Sequence, residues 1–356
     1  MTTIRPGGFI GKDRGKPLRS PATTGEIILK NTNSRSLREV WVHGARVLEE
    51  MRLTNLQTQL KKMLPDVELR FDEPMYKHTS LKIGGGAEVM AFPKNREELS
   101  KILKVSGLLD IRPAILGAGT NILAPDQGIR GIVLCLKDSL DGMEQLDETR
   151  IRVMSGVTMS RAAVFAAKLG LSGLEFAHGI PGTVGGGVYM NAGAYGGEIR
   201  DVCQQVELMD REGNVFTRKG EEMDFSYRHS CVQDNGAIVL SAVFALTPKD
   251  PQEIKDRMKE LMGKRSASQP LELPSAGSAF KRPQGGYASA LINDAGLRGF
   301  RVGQAAISEK HTGFAVNLGG ATAQEMEELL KTVSDRVFAA TGIRLEPEIR
   351  IWNDSI

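Results

Sequence analysis

The chain has 356 residues, 41% hydrophobic and 25% charged, with a formal net charge of +3 and three cysteines. That size and composition fit a globular protein of two or three domains, and the weak charge creates no demand for a nucleic-acid partner. No apolar run approaches the roughly 20 residues of a membrane span or forms a secretory signal, and Cys135, Cys203 and Cys231 make no CxxC pair, which argues against zinc or another metal, against disulfides, and for a cytoplasmic setting.

Residues 1–35 mix Gly, Pro, Ser, Thr and basic side chains, the composition of a loosely attached arm. Apolar Val40, Val47, Leu48, Met51, Leu56 and Leu60 predict a helix over about 36–64. A strand follows over 88–92, and Asn95 predicts a helix N-cap, with Glu98 completing a capping box. Short buried strands are expected at 114–116 and 132–135, and an amphipathic helix from Thr158 to Leu169, stopped by Gly170. Strands are expected at 206–209, 215–218 and 238–246, with Pro248 and Pro251 marking a boundary. Beyond it the pattern gives a helix over about 251–263, a Gly/Pro/Ser loop over 266–286, and strands at 305–307 and 314–317. A helix then runs from a Thr322/Glu325 capping box to Gly342, and a last strand covers 348–352. This is an α+β pattern, divided into 1–60 (basic arm and helix), 70–248 (two subdomains split near 113) and 249–356.

Three glycine-rich segments stand before Pro248: IGGG at 83–86, LGAGTN at 116–121, and GIPGTVGGGVYMNAGAYGG at 179–197. The last has eight glycines in nineteen residues, too many for a good helix and too little side chain for a packed strand. The second follows a strand but has Ile122 where GxGxxG needs its third glycine, and no Gly-Lys-Ser or Gly-Lys-Thr occurs, so neither a Rossmann turn nor a P-loop is present. Any one of these loops reads as an ordinary tight turn. Together they read as a holder for a diphosphate-containing cofactor, gripped by backbone amides that glycine lets come close.

With the motifs TSLKIGG at 79–85, GAGTN at 117–121, GLEFAHGIPGTVGG at 173–186 and NAGAYGG at 191–197, the chain resembles the UDP-N-acetylenolpyruvoylglucosamine reductase (UDP-N-acetylmuramate dehydrogenase) family, in its compact subclass. YRHS at 227–230, SAGSAFKRP at 275–283, SEKH at 308–311 and EPEIR at 346–350 continue the order, over about residues 70–353. The resemblance implies an FAD-binding domain of the vanillyl-alcohol-oxidase / p-cresol-methylhydroxylase type plus a smaller α+β substrate-binding domain. It also implies NADPH-dependent reduction of UDP-N-acetylglucosamine enolpyruvate in peptidoglycan synthesis. The glycine loops hold no convincing attachment residue, so FAD is expected to be non-covalent, and the protein is expected to be a monomer without membrane insertion. Hydride would go to C3 of the enolpyruvyl group and a proton to C2.

By the same resemblance Ser278 is the proton donor, Arg228 holds the substrate carboxylate, and Glu348 helps stabilise the enol, with Glu346 as its competitor. Read locally, Ser278 is a turn serine and Arg228 a surface ion-pair arginine. Expected around FAD are Ile83 and Gly84; Leu116, Gly117, Ala118, Gly119, Thr120, Asn121 and Ile122; Gly156 and Glu175; Gly179, Ile180, Pro181, Gly182, Thr183, Gly185 and Gly186; Asn191, Ala192 and Gly193; Val239; and His311. Tyr195, Arg228, Lys281 and Arg282 are expected at the substrate, and His229 as a structural hydrogen-bonding residue. Thr120 replaces a frequent Ser and keeps its hydroxyl, while Ser268 and Ala290 replace family lysines or larger residues, which puts part of the phosphate contact in doubt. Two other readings remain at this stage: a flavin oxidase with covalently attached cofactor, for which His78 is the nearby residue, and a nucleotide-binding module without catalysis.

Overall fold

A computed structural model describes residues 54–353; the expected arm over 1–35 and most of the expected helix over 36–64 lie outside the described residues. The described part of that helix is Asn55–Met63, opened by a reciprocal Thr54/Gln57 capping box and burying Leu60.

Among the described residues, three sheets of four or five strands follow in chain order. The first has the order Glu68–Pro74, Gly86–Phe92, Ile129–Cys135, Ala114–Leu116, with the first pair antiparallel and the rest parallel. Its central strands are continuous apolar runs, as burial on both faces requires: Val89, Met90, Ala91, Val133 and Leu134 are all fully buried. Helix Arg96–Leu108 packs Leu99, Ile102 and Leu103 against it. Asn95 caps this helix by accepting from the Glu98 amide at 2.8 Å, but Glu98 reaches back to the Lys94 amide instead of completing the box at Asn95.

The second sheet, Val215–Lys219, Cys203–Met209, Ile238–Ala245, Arg150–Met154, Met143–Gln145, is antiparallel throughout. The change of sheet thus falls between Cys135 and Met143, beyond the division expected near 113. Helix Met159–Lys168, capped by Thr158 and stopped by Gly170 at φ +69°, lays its small face of Ala162, Ala163 and Ala166 on Ile151, Val153 and Phe244. The helix expected to end near 263 runs over Pro251–Ser268, and its Ile254 and Met258 join this second core. By packing it belongs with the second sheet, so the physical boundary lies after Ser268 and not near 248.

The third sheet, Ser275–Ser278, Phe314–Asn317, Ala305–Ile307, Arg301–Val302, is antiparallel and backed by helix Ala323–Thr341 with its expected Thr322/Glu325 box. Its core borrows Leu81, Ile83 and Leu123 from the first layer. Three further ties fix the two together. Asp126 accepts from the Ala323 and Gln324 amides at 2.7 and 3.1 Å, Asn317 donates to the Leu81 carbonyl at 2.9 Å, and Arg350–Ile351 pairs parallel with Ile122–Leu123. These ties carry the C-terminal strand onto the 117–121 loop.

One expectation about the long glycine stretch is corrected. It contains a short helix, Val184–Tyr189, capped by the Thr183 hydroxyl. The helix forms because Val184 and Val188 are fully buried and because Gly187 lies where a Cβ would stand 2.7 Å from the Met159 sulfur.

Candidate active site

A cavity of about 610 Å³ opens where the 117–122 loop, the 180–187 segment and the third sheet meet. Gly117 to Ile122, Ile180 to Thr183, Gly185, Gly186, Ala192, Gly193 and Val239 line it, together with Arg228, Ser278 and Glu348. Sequence positions 117, 228, 278 and 348 therefore converge on one space.

Backbone donors dominate one part of the lining. Among the described residues, no protein acceptor takes the amide protons of Gly117, Ala118, Gly119, Thr120 or Asn121, nor those of Gly182 and Thr183. Seven amides without a protein partner around one cavity, those of Gly119 and Thr183 on buried residues, form a set of donors ready for an external acceptor. A Cβ on Gly182 would meet only the Thr120 hydroxyl, at 3.6 Å, and one on Gly186 only the Thr183 hydroxyl, at 3.5 Å. Nothing inside the chain requires these two to be glycine; the space beyond them does. Ser155 Oγ and Gln269 Oε1, both in the lining, are also buried without a protein partner. This donor set fits a flavin dinucleotide, whose diphosphate is held by neutral dipoles and whose rings and hydroxyls fill the rest.

Side chains build the other part. Arg228 Nε donates to Glu348 Oε1 at 2.6 Å, and the Tyr227 hydroxyl donates to Glu348 Oε2 at 3.3 Å. Glu348 is nearly buried, and its own amide bonds the Ala279 carbonyl at 2.9 Å, which sets it beside Ser278. Bonding through Nε leaves the two terminal nitrogens of Arg228 free of this contact and available to a carboxylate. Burial, then the neighbouring Glu348 charge, pushes the Tyr227 phenol above its ordinary value. Burial pulls the guanidinium groups of Arg211 and Arg265, also in the lining, below theirs.

Several expected residues lie outside the lining. Ile83 is in the third core, and the glycines after it serve packing: a Cβ on Gly84 would stand 2.6 Å from Ala124 Cβ, and one on Gly85 2.3 Å from the Asp126 carbonyl. Leu116 is a buried strand end, and Gly156 lies against the Leu136 and Leu140 carbonyls. Glu175 caps its own turn through Ser172 and Gly173, while Gly179 packs on Arg265. Asn191 is spent on Glu198, Ser226 and Arg200. His311 accepts from the Gly313 amide and stands edge-on to Phe314, 5.0 Å between centroids. Tyr195 caps a tight hairpin at φ +54°, Lys281 pairs with Glu346 at 3.1 Å, and Arg282 stacks on Tyr287 at 4.2 Å. His229 bonds the Asp224 carbonyl and Asp234, the structural role expected of it.

Sequence reading missed Arg350, Gln233, Arg265, Gln269, Tyr189 and Ser155 in the lining. Two signals were available. Arg350 stands two residues after Glu348 in the same EPEIR motif, and Arg265 and Gln269 are spaced by four at the end of one helix.

The fold and site define a flavoprotein oxidoreductase with an FAD-binding domain followed by a smaller α+β domain. A family profile described as an FAD binding domain matches residues 87–218, and one described as the UDP-N-acetylenolpyruvoylglucosamine reductase C-terminal domain matches 269–352. The UDP-N-acetylenolpyruvoylglucosamine reductase of Agathobacter rectalis is 46% identical over 301 residues, covering 82% of this chain and 96% of its own. That of Streptococcus pneumoniae is 41% identical over 301 residues, covering 85% and 99%. The crystal structure of the Thermus caldophilus reductase superposes with a TM-score of 0.67 at 35% identity, over 81% of this chain and 99% of that one. The chain belongs to the UDP-N-acetylenolpyruvoylglucosamine reductase family. No described helix is long and apolar enough to cross a membrane.

Proposed function

We propose that this enzyme reduces UDP-N-acetylglucosamine enolpyruvate to UDP-N-acetylmuramate with NADPH as the reductant, and that FAD is held non-covalently by the seven unpaired amides. Bound FAD supplies hydride transfer, from NADPH to C3 of the enolpyruvyl ether. The chain's own residues supply the rest. Arg228 takes the substrate carboxylate on its free terminal nitrogens and steadies the charge that grows there as C3 gains hydride. Ser278 gives its hydroxyl proton to C2, which balances the reduction of the double bond, and regains a proton from water afterwards. Glu348, fixed by Arg228 and Tyr227, holds the guanidinium in place and faces the developing enol.

The observation that carries this reading is the convergence of Arg228, Ser278 and Glu348 on one cavity with the amide cradle. Non-covalent attachment is supported by the lining itself, which among the described residues includes no cysteine or histidine, and by His78 being paired with Glu73 at 2.9 Å. The test is an anaerobic titration. NADPH should bleach the bound flavin, and the enolpyruvyl nucleotide should restore its colour. A flavin that stays reduced in the presence of that nucleotide would overturn the assignment.

A further inference from the structure

The turn that carries Arg228 is two residues long and strained. Ser226 and His229 exchange backbone hydrogen bonds across it, 3.2 Å each, and Arg228 sits at φ +56°, a left-handed conformation that favours glycine. Such a backbone persists only where the surroundings over-determine it. The His229 side chain is turned to Asp224 and Asp234 and does not touch Arg228's peptide.

Gln233 does touch it. Its Nε2 donates to the Arg228 carbonyl at 2.9 Å and to the Tyr189 carbonyl at 2.8 Å, while its Oε1 accepts from the Arg350 guanidinium. Both amide protons and the carbonyl are thereby used on a half-buried side chain. The three partners come from three segments that meet at the cavity: the Arg228 turn, the end of helix Val184–Tyr189, and the strand Arg350–Ile351. Two further contacts brace the junction. Ser230 Oγ donates to the same Tyr189 carbonyl at 2.9 Å, and the Arg350 guanidinium lies 4.9 Å above the Tyr189 ring.

We propose that Gln233 is a positioning residue for the Arg228–Glu348 pair. Its amide holds the Arg228 carbonyl, which sets the left-handed turn and so the direction in which the guanidinium leaves the backbone. Its carbonyl holds Arg350, two residues beyond Glu348 on the same C-terminal segment, so the same contact anchors the segment that carries Glu348. Without the clamp the turn relaxes to an ordinary φ and the fork swings away from the substrate carboxylate. This inference rests on the roles proposed above for Arg228 and Glu348.

Stopped-flow measurement of the two half-reactions in the flavin-loaded enzyme tests it. Gln233→Met keeps the length of the side chain and removes all three bonds. It should slow reoxidation by the enolpyruvyl nucleotide about 100-fold, the loss that goes with roughly 1 Å of misplacement, while flavin content and reduction by NADPH stay at wild-type values. Gln233→Glu keeps the acceptor for Arg350 but turns a carboxylate on two carbonyls, and Gln233→Lys keeps donors for both, so Lys should be faster than Glu in the second half-reaction. If the Met variant does not fold, that Lys–Glu order carries the test. Equal rates for Lys and Glu, or equal slowing of both half-reactions, overturns the positioning role. Arg228→Met is measured alongside. Should it reoxidise at the wild-type rate, the assignment of Arg228 falls and the clamp has nothing to position; should it be slow while Gln233→Met is not, the clamp alone is wrong.

Discussion

The two parts of the cavity are built from opposite materials. At the cradle, residues 117–121 and 182–183 offer backbone amides, contiguous in sequence and without formal charge. At the Arg228 corner the groups offered to the cavity are side chains, and the partners are distant in the chain: Arg228 and Glu348 are separated by 120 positions. A backbone site tolerates many side chains beside it but no added bulk. A side-chain site tolerates bulk nearby but no change of chemistry. On the proposed assignment, the enzyme keeps its cofactor with shape and handles its substrate with charge.

This contrast can be broken by experiment, and the corner should give the largest effect. Ser278→Ala should slow reoxidation by the enolpyruvyl nucleotide on the order of 10²–10⁴-fold, the usual worth of a general acid, and leave reduction by NADPH unchanged. Equal slowing of both steps would make Ser278 a structural residue. At the cradle the change to make is one of volume. Gly182→Val adds bulk toward open space, so FAD affinity should fall roughly 10–100-fold, the equivalent of about 1–3 kcal/mol of overpacking, with the apoprotein's thermal midpoint unmoved. Gly85→Ala is the counterpart outside the cavity. Its new methyl would meet the Asp126 carbonyl, so the apoprotein should lose about 1–3 kcal/mol while the flavin affinity of what remains folded is kept. If both variants lose flavin and stability together, the two kinds of glycine are not distinct.

The smallest effect concerns His311, next to Phe314 in the third sheet. Burial, reinforced by Arg298, holds its imidazole below the ordinary 6.5. The unfolded chain then binds more protons than the folded one at this residue, so its contribution to stability is present above pH 6.5 and is lost as pH falls through the lowered folded value. His311→Gln should therefore show a shallower drop in thermal midpoint on acidification than wild type. Parallel curves for the two proteins would remove His311 from the acid response.

What the sequence made legible follows the same divide. The cradle could be found because its signal is local: glycines clustered after a strand and around Thr183. Helix starts at Asn95, Thr158 and Thr322 were readable for the same reason, since a cap and its amide lie within three residues. The corner was reachable only through resemblance, because no local pattern marks Arg228, and Gln233 carries no signal at all until its three partners are seen around it. Composition misled in three places. The glycines of 84–86 stand in close packing, outside the cavity lining. Gly263 was read as a helix end, but a mid-helix glycine costs only about 1 kcal/mol, and the helix stops at Gln269, ahead of Pro270. Glycine-rich 184–189 forms a helix because its valines are buried.

The ties between the first and third layers set the order in which the enzyme can be made. Asn121 reaches the Glu348 carbonyl across 227 positions, Asn317 reaches Leu81 across 236, and Asp126 finishes a helix that begins 197 residues later. The entropy of closing such loops grows only logarithmically, about 0.6 kcal/mol per doubling, so the distances weaken the finished protein little. They delay it instead, because non-local contacts form late. The cradle draws on residues 117–183 and needs none of these closures to bring its two loops together; the corner needs all of them. A refolding chain should accordingly capture flavin before it can turn over the enolpyruvyl nucleotide, and the lag between quenching of flavin fluorescence and the return of activity in a refolding time course measures that interval directly. Coincident recovery of the two signals would show that the layers assemble in a single step.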